Sequence, residues 1–374
     1  MRKVAIIGAG WTGLTAARLL HDLGFGVEVF EAAKVIGGHS RAETLGGVVY
    51  EPNGAHIFHT SDERVAKFVG RFGLSRPYEH RVKIIVHVTQ ESDPRLLSWP
   101  IQLNELRSLS IWPKVSQELD ELPRKPSGDD FETYVTSLMG KTLYEIFVKD
   151  YTIKQWGCEP SSLSSNFAPK RIDLRTSGDT RLFSDRWEWF HPTGINSVID
   201  KVAEPLCIHV GHLIRLSDLV GFAGAFDTVI ITSALDDFVD RVGALAWRGI
   251  EMRSTYHPTE SLDGTRTVAY VINYPDKRYP YTRTVETKHA TGQRVGGTIV
   301  SEEYPGSAAR HYPIPTLSGK YESINLALKS EITAALPAPV LFAGRLANYE
   351  YINQDEAILE GMNIAEDAQR ILSA

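Results

Sequence analysis

The chain has only two cysteines in 374 residues, Cys158 and Cys207. Their spacing matches neither a zinc motif nor a CxxC redox pair, so they read as reduced thiols in a cytosolic protein and no metal site is expected. An excess of positive charge is also missing. Lys and Arg total 40 against 46 Asp and Glu, for a formal net charge of -6. That excludes nucleic-acid binding through a global basic field, and no nucleic-acid partner is expected. No apolar run approaches the roughly 20 residues that cross a bilayer, so no membrane partner is expected. The start, MRKVAIIGAG, is basic and then apolar, but glycine interrupts it too early for a signal peptide. The expected location is cytoplasmic. No internal repeat or low-complexity tract is present. What remains is a soluble composition, 43% hydrophobic and 23% charged, in a chain long enough for two or more packed units.

Lys3 to Ile7 form a short β-branched run that reads as a buried parallel strand. Gly8, Gly10 and Gly13 follow as GxGxxG, then a helical pattern with Leu14, Ala17, Leu20 and Leu23 near one face. A second strand, Gly26 to Phe30, ends at Glu31. Gly8 permits the tight turn, Gly10 lets the backbone approach a pyrophosphate, and Gly13 lets helix and sheet pack closely. Glu31 is placed to accept hydrogen bonds from a ribose. Together these predict dinucleotide binding. Gly37 and Gly38 make a second small-residue turn, which favours FAD over NAD. Near the C-terminus a strand candidate, Pro339 to Ala343, precedes Gly344, Arg345 and a helical pattern from about Asp355 to Leu372. By analogy with two-dinucleotide-binding-domain flavoproteins, that helix N-terminus would face the isoalloxazine.

Two histidines in GAHIFHT, His56 and His59, lie three residues apart. The stretch alone leaves open whether they ligate a metal, take part in catalysis, or lie beside a core. No third ligand stands at a recognised spacing.

The fold class expected is α/β: a Rossmann-like FAD-binding domain assembled from separated segments, an inserted helical domain and an antiparallel β-sheet domain. The FAD-binding unit is expected from residues 1–97, 196–244 and 330–374. A helical, substrate-side unit is expected over 98–164, where Phe131, Tyr134, Val135 and Leu138 recur at three- and four-residue steps and Gly140 breaks the pattern. Short runs such as TRTVAYVINY and GGTIVSEEY predict the antiparallel sheet over 165–195 and 245–329.

Several segments then align in order: GAGWTGL, IGGH, GAHIFHT, YTIKQWG (Tyr151 to Gly157), KRIDLR, FSDR, YTR, HYP and AGRLANYEY (Ala343 to Tyr351). Their order and spacing resembles the bacterial UDP-galactopyranose mutases, nearly end to end. The resemblance implies an isomerase that interconverts the pyranose and furanose forms of a nucleotide-diphosphate sugar, most simply UDP-galactopyranose and UDP-galactofuranose. It implies FAD, active only when reduced, whose N5 attacks the anomeric carbon and displaces the nucleotide. It further implies a homodimer, and reduction by NAD(P)H binding transiently or by another reductant. For the residues, the resemblance implies a diphosphate-binding set of Arg171, Arg283, Tyr312 and Tyr351, with the two arginines catalytic. Tyr349 adds a hydroxyl donor. Tyr151 matches the uridine-stacking position and Trp156 lines the sugar pocket. Arg345 matches an arginine that contacts FAD, alongside Gly38 and Gly344. His59 falls at the flavin face near N5 and counts with the two arginines as catalytic, with His56 as support for its loop. The guanidinium groups suit phosphate independently, because they bind it in a bidentate manner.

The chain departs from the family pattern at several places. Leu182 stands where a diphosphate-binding tyrosine is usual, with Arg181 beside it as a substitute donor. Asn353 replaces an aspartate near the active site. Ser233 and Ala234 replace Gly-Pro, and Trp187 to His191 is unusually aromatic. These departures gather at the substrate side. A mutase of the same mechanism acting on another sugar nucleotide is therefore a live alternative, with an amine-oxidase-like flavin oxidoreductase behind it.

Overall fold

The computed structural model describes residues 2–89, 91–170, 172–221 and 224–373, the side chains of Pro169 and Lys170 excepted. A five-stranded sheet lies at its centre, in the order Cys207–Val210, Gly26–Glu31, Lys3–Ile7, Thr228–Ile231, Val340–Phe342. Every neighbouring pair is parallel. Both faces are covered, which explains why the first strand reads as an unbroken apolar run. Val4 and Ile6 point to one face and pack with Leu14 and Leu20 of the helix Trp11–Asp22 and with Ile358 and Ala365 of the C-terminal helix Gln354–Ser373. Ala5 and Ile7 point to the other, against Leu328 and Ile332 of the helix Lys320–Ala335. Each such fully buried Leu or Ile contributes about 1.5–3 kcal/mol.

A six-stranded sheet runs Trp247–Pro258, Gly297–Pro313, Arg283–Val285, Val271–Asn273, Val82–Val86, Arg95–Trp99. All its pairings are antiparallel except that of Val271–Asn273 with Val82–Val86. The helical region holds Phe131–Met139, which buries Phe131, Val135 and Met139 along one face. Asp130 caps it by accepting from the Thr133 N–H at 2.9 Å. Gly140, at φ 82°, ends it, and Asp150–Trp156 follows after a short π-helical turn. No helix among the described residues is long and apolar enough to cross a membrane.

Three stretches sit elsewhere than the sequence division placed them. Val82–Val86 and Arg95–Trp99 belong to the six-stranded sheet and not to the first unit. The alternating burial of Val82, Ile84 and Val86 is that of a sheet with one covered face. The helix Lys320–Ala335 covers the parallel sheet, so the chain returns to it about ten residues before 330. Residues 165–195 do not join the large sheet. Leu174–Arg175 pairs with Ile101–Gln102, and Trp187–Trp189 pairs antiparallel with Phe58–Thr60, setting His59 opposite Glu188. Between them the chain is folded on Arg175, which donates to the backbone carbonyls of Asp179, Arg181 and Leu182.

Candidate active site

Two cavities meet at the start of the C-terminal helix. One, about 560 Å³, lies over the strand ends of the parallel sheet and is lined by Gly8, Gly10, Gly13, Glu31, Gly38, His56, Gly344 and Arg345. The other, about 550 Å³, lies between the helical region and the large sheet and is lined by Tyr151, Trp156, Arg283, Tyr312 and Tyr351, with His59 and Leu182. Asn353 lines both.

The glycine-lined cavity is built from backbone. A Cβ on Gly13 would stand 2.0 Å from the Gly8 carbonyl oxygen, so helix and turn can close only over glycine there. A Cβ on Gly10 would meet nothing within 4 Å, which marks open space where an extended ligand fits. Glu31 ties the turn, accepting from the Ala9 N–H at 2.7 Å and the Ala33 N–H at 2.8 Å. Each carboxylate oxygen keeps a second acceptor site for a ribose hydroxyl. Gly37 donates to the Ala9 carbonyl, which seats the second glycine turn on the first. Beside this cavity His39 and His311 stack with ring centroids 4.2 Å apart. Burial pushes His39 down to about 4, and His56 and His311 down to about 3, with Arg345 adding to each shift. All three are neutral at pH 7. His56 Nδ1 and His311 Nε2 are buried with no partner in the protein. An orphaned ring nitrogen in the cavity lining is what a bound polar ring system would satisfy.

The aromatic cavity is built from side chains. Tyr312 and Tyr351 stack with centroids 5.2 Å apart, and Trp156 meets both at an angle. Arg345 lies over both tyrosine rings, 5.6 and 5.5 Å from their centroids, and donates to the His311 and Ile352 carbonyls. Arg283 is held through its Nε by Glu303 at 2.7 Å, and Glu303 is fully buried. Burial opposes the Arg283 charge. The Glu303 carboxylate, with Tyr151 and Tyr312, more than offsets it and holds the guanidinium well above its usual value. The remaining donors sit at the NH1 and NH2 end, the bidentate face of the fork. Burial pushes the Tyr151 hydroxyl up to about 12, so it remains a neutral donor.

The expected site residues separate as follows. Tyr151, Trp156, Arg283, Tyr312, Tyr351 and Asn353 come together at one cavity, and Gly8, Gly10, Gly13, Glu31, Gly38, Gly344 and Arg345 at the other. Arg171 lies outside the described residues. Tyr349 is in neither lining. Its ring is buried against Trp247, and its hydroxyl donates to the Ala246 carbonyl and accepts from the Ile314 N–H. This tyrosine anchors the core, and its backbone adopts φ 55° to turn the side chain inward. His56 lines the glycine cavity, while His59 lines the aromatic one. His59 Nδ1 pairs with Asp185 at 2.8 Å, and its ring stacks on Phe183 at 3.5 Å. The strand alternation of Phe58–Thr60 turns it there. Arg181 does not substitute for a tyrosine at 182, because Asp179 binds its Nε and NH2.

The sequence reading missed Glu303, Asp185 and Asp355. Glu303 stands directly across the strand pair from Arg283, an opposite-charge pairing invisible without the register. Asp185 lay inside the FSDR motif without a role. Asp355 lines the aromatic cavity in the first turn of the C-terminal helix, and burial raises its carboxyl. Asn353 begins that turn. Its N–H donates to the Glu356 carboxylate at 2.8 Å and its carbonyl accepts from the Ala357 N–H, so the replaced aspartate position opens the helix with one half of a capping box.

Comparison with known proteins agrees with this arrangement. The UDP-galactopyranose mutase family matches residues 146–351, more than half of the chain, and an NAD(P)-binding Rossmann-like domain matches residues 6–72. The chain is 27% identical to dTDP-fucopyranose mutase of Escherichia coli, over 98% of both proteins. It is 28% identical to a probable UDP-galactopyranose mutase of Klebsiella pneumoniae, over 98% of this chain and 94% of that one. A crystal structure of reduced UDP-galactopyranose mutase superimposes with a TM-score of 0.77 at 15% identity, covering 99% of this chain and 96% of that one. The chain belongs to the UDP-galactopyranose mutase family, flavoenzymes that act as isomerases on nucleotide sugars.

Proposed function

We propose that the protein interconverts the pyranose and furanose forms of a nucleotide-diphosphate sugar, with UDP-galactose the first candidate, and that FAD is its cofactor in reduced form. One observation carries this reading. The glycine-lined cavity and the cavity holding Arg283, Tyr312 and Tyr351 adjoin at Asn353, so a dinucleotide in one would present its far end to a ligand in the other. The open Cβ direction of Gly10, the capacity of Glu31 for a ribose and the orphaned nitrogen of His56 fit an FAD there. Bound in reduced form, the flavin would supply a nucleophile for the anomeric carbon with no net redox change.

The residues of the chain have roles that follow from their chemistry. Arg283 offers its forked donors to the diphosphate and holds the departing nucleotide while its bond to the sugar is broken. The Tyr312 and Tyr351 hydroxyls share that anionic load. Tyr151 and Trp156 provide aromatic surface for base and sugar. Asp185 fixes His59 by its Nδ1, leaving Nε2 as the nitrogen able to contact a ligand.

A second substrate has support of its own. The relatives that act on UDP-galactopyranose and dTDP-fucopyranose are almost equally similar, at 28% and 27%. Leu182 also puts an apolar side chain into the aromatic cavity. The test is direct. The purified flavoprotein is reduced with dithionite and offered UDP-galactopyranose and dTDP-fucopyranose separately, and ring isomers are resolved by chromatography. Interconversion under reduction alone supports the reading, and the preferred nucleotide names the substrate. Oxygen consumption with amines and no isomerisation would overturn it.

A further inference from the structure

We propose that Glu28, Cys207 and His209 form a zinc-class metal site on the outer edge of the parallel sheet. Cys207 and His209 are two apart on the edge strand and so share a face. Glu28, on the adjacent strand, lies directly across from Cys207. No sequence spacing could reveal the site, because 179 positions separate Glu28 from Cys207 and only the strand register joins them.

The separations already suit an ion. Cys207 Sγ stands 3.6 Å from His209 Nε2, and Glu28 Oε2 stands 3.2 Å from the same nitrogen. All three ligand atoms lie within 4.8 Å of one another. A tetrahedral zinc about 2.3 Å from sulfur and about 2.0 Å from nitrogen needs those two ligands roughly 3.6 Å apart. The two separations to Nε2 already match that geometry, and the sulfur and carboxylate need at most a small side-chain movement to share one ion.

Hydrogen bonding alone explains the cluster poorly. Thiol and carboxylate both converge on Nε2, which carries at most one proton. A relay of the nucleophile–base–acid kind would place the acid on Nδ1 instead. A shared cation satisfies all three ligands. A thiolate and a carboxylate also neutralise its two charges, and thiolate with imidazole selects zinc over magnesium or calcium. The surroundings hold the ligands in place. His209 stacks on Phe30 at 4.8 Å, and Lys3 Nζ lies 3.8 Å from Glu28 Oε1, leaving Oε2 for the metal. His212, with its ring centroid 5.8 Å from that of His209, is near enough to offer a fourth ligand, with water as the alternative. The site would clip the edge strand to the strand that carries Phe30 and Glu31 into the glycine-lined cavity.

The experiment does not depend on turnover. Holoenzyme kept in a phosphine reductant is stripped with a chelator and titrated with zinc and with cobalt. One equivalent should bind, the cobalt form should show thiolate-to-metal charge-transfer absorption, and zinc should raise the thermal midpoint. Cys207→Ser and Glu28→Gln should each weaken binding by about tenfold or more, with flavin content unchanged. Absence of saturable binding, a cobalt spectrum without the thiolate band, or wild-type affinity in either variant would overturn the proposal.

Discussion

Glu303 holds Arg283 by its Nε at 2.7 Å from a fully buried position, and Thr282 donates to the other carboxylate oxygen at 3.0 Å. The carboxylate thus sets the direction of the guanidinium fork. Glu303→Gln keeps the volume but removes the charge that fixes Nε. Turnover should fall about a hundredfold, the expected result of misplacing a positioning group by about 1 Å. The flavin spectrum should be unchanged. Full activity in this variant would show that Arg283 is positioned by other contacts.

Arg283 itself gives a sharper result. Arg283→Ala should abolish turnover and leave the flavin in place. Arg283→Lys should recover little, because an ammonium cannot reproduce the bidentate contact or the Glu303 bond at once. Loss of flavin from Arg283→Ala would move the residue to the other cavity.

The two glycines of the first turn should separate folding from cofactor binding. Gly10 has φ -80° and open space around a Cβ. Gly10→Ala should therefore fold with a stability within about 0.5 kcal/mol of wild type, yet lose flavin affinity at least about tenfold. Gly13→Ala drives a Cβ into the Gly8 carbonyl and should destabilise the fold itself by about 3 kcal/mol or more. Calorimetry of the apoproteins and flavin titration distinguish the two. Equal effects would contradict the assignment of Gly10 to ligand contact.

How much of this was legible in the sequence follows from which forces are local. The glycine turn, the buried strand Lys3–Ile7 and the C-terminal helix were readable because their signals lie within one short window. The motif string also marked Tyr151, Trp156, Arg283, Tyr312 and Tyr351, which gather at the aromatic cavity. The place of strands 82–86 and 95–99 in the large sheet was not readable, since they pair locally with each other and join that sheet only through Val271–Asn273, almost two hundred residues on. Tyr349 and Tyr351 look alike in sequence. Only the left-handed backbone at Tyr349 sends one ring into the core and leaves the other at the cavity. The direction of His59 is likewise set by the pleat and by the pairing of Phe58–Thr60 with Trp187–Trp189, which no short window shows.

Lys154 shows a long-range tie of the same kind. Its Nζ donates among four backbone carbonyls, of Tyr274, Asp276, Tyr279 and Tyr281, at 2.6, 3.0, 3.1 and 3.0 Å. It closes the loop that leads to Arg283 against the helix that carries Tyr151 and Trp156. Lys154→Met should destabilise the protein by about 2–3 kcal/mol, the range for charge-assisted hydrogen bonds lost without replacement. It should also raise KM for the nucleotide sugar more than it lowers kcat. Urea unfolding and steady-state kinetics check both, and an unchanged KM would count against the loop's role.

Two buried imidazoles, His80 and His311, and two half-buried ones, His39 and His56, make stability depend on acid. Burial, the largest cause in each, pushes His39 down to about 4 and His56, His80 and His311 down to about 3. In the unfolded chain each would titrate near 6.5. A depressed folded value means that the unfolded state binds more protons between about 3 and 6.5, so stability is full above 6.5 and falls as the pH drops through that window. Glu51 acts in the opposite sense. Burial raises it to about 7, so its contribution declines as the pH rises from about 4.5 to 7. Glu188, Asp355 and Glu360, raised by burial as well, act with Glu51, while carboxyls held low, Asp185 and Glu286 among them, act with the histidines. His80 is the cleanest probe, because its Nδ1 has no partner to lose. His80→Phe should flatten the dependence of unfolding free energy on pH by up to about 1.4 kcal/mol per pH unit between pH 6 and 4. Denaturant titrations at pH 4, 5, 6 and 7 measure it. The same slope in variant and wild type would mean that His80 is already protonated in the folded protein.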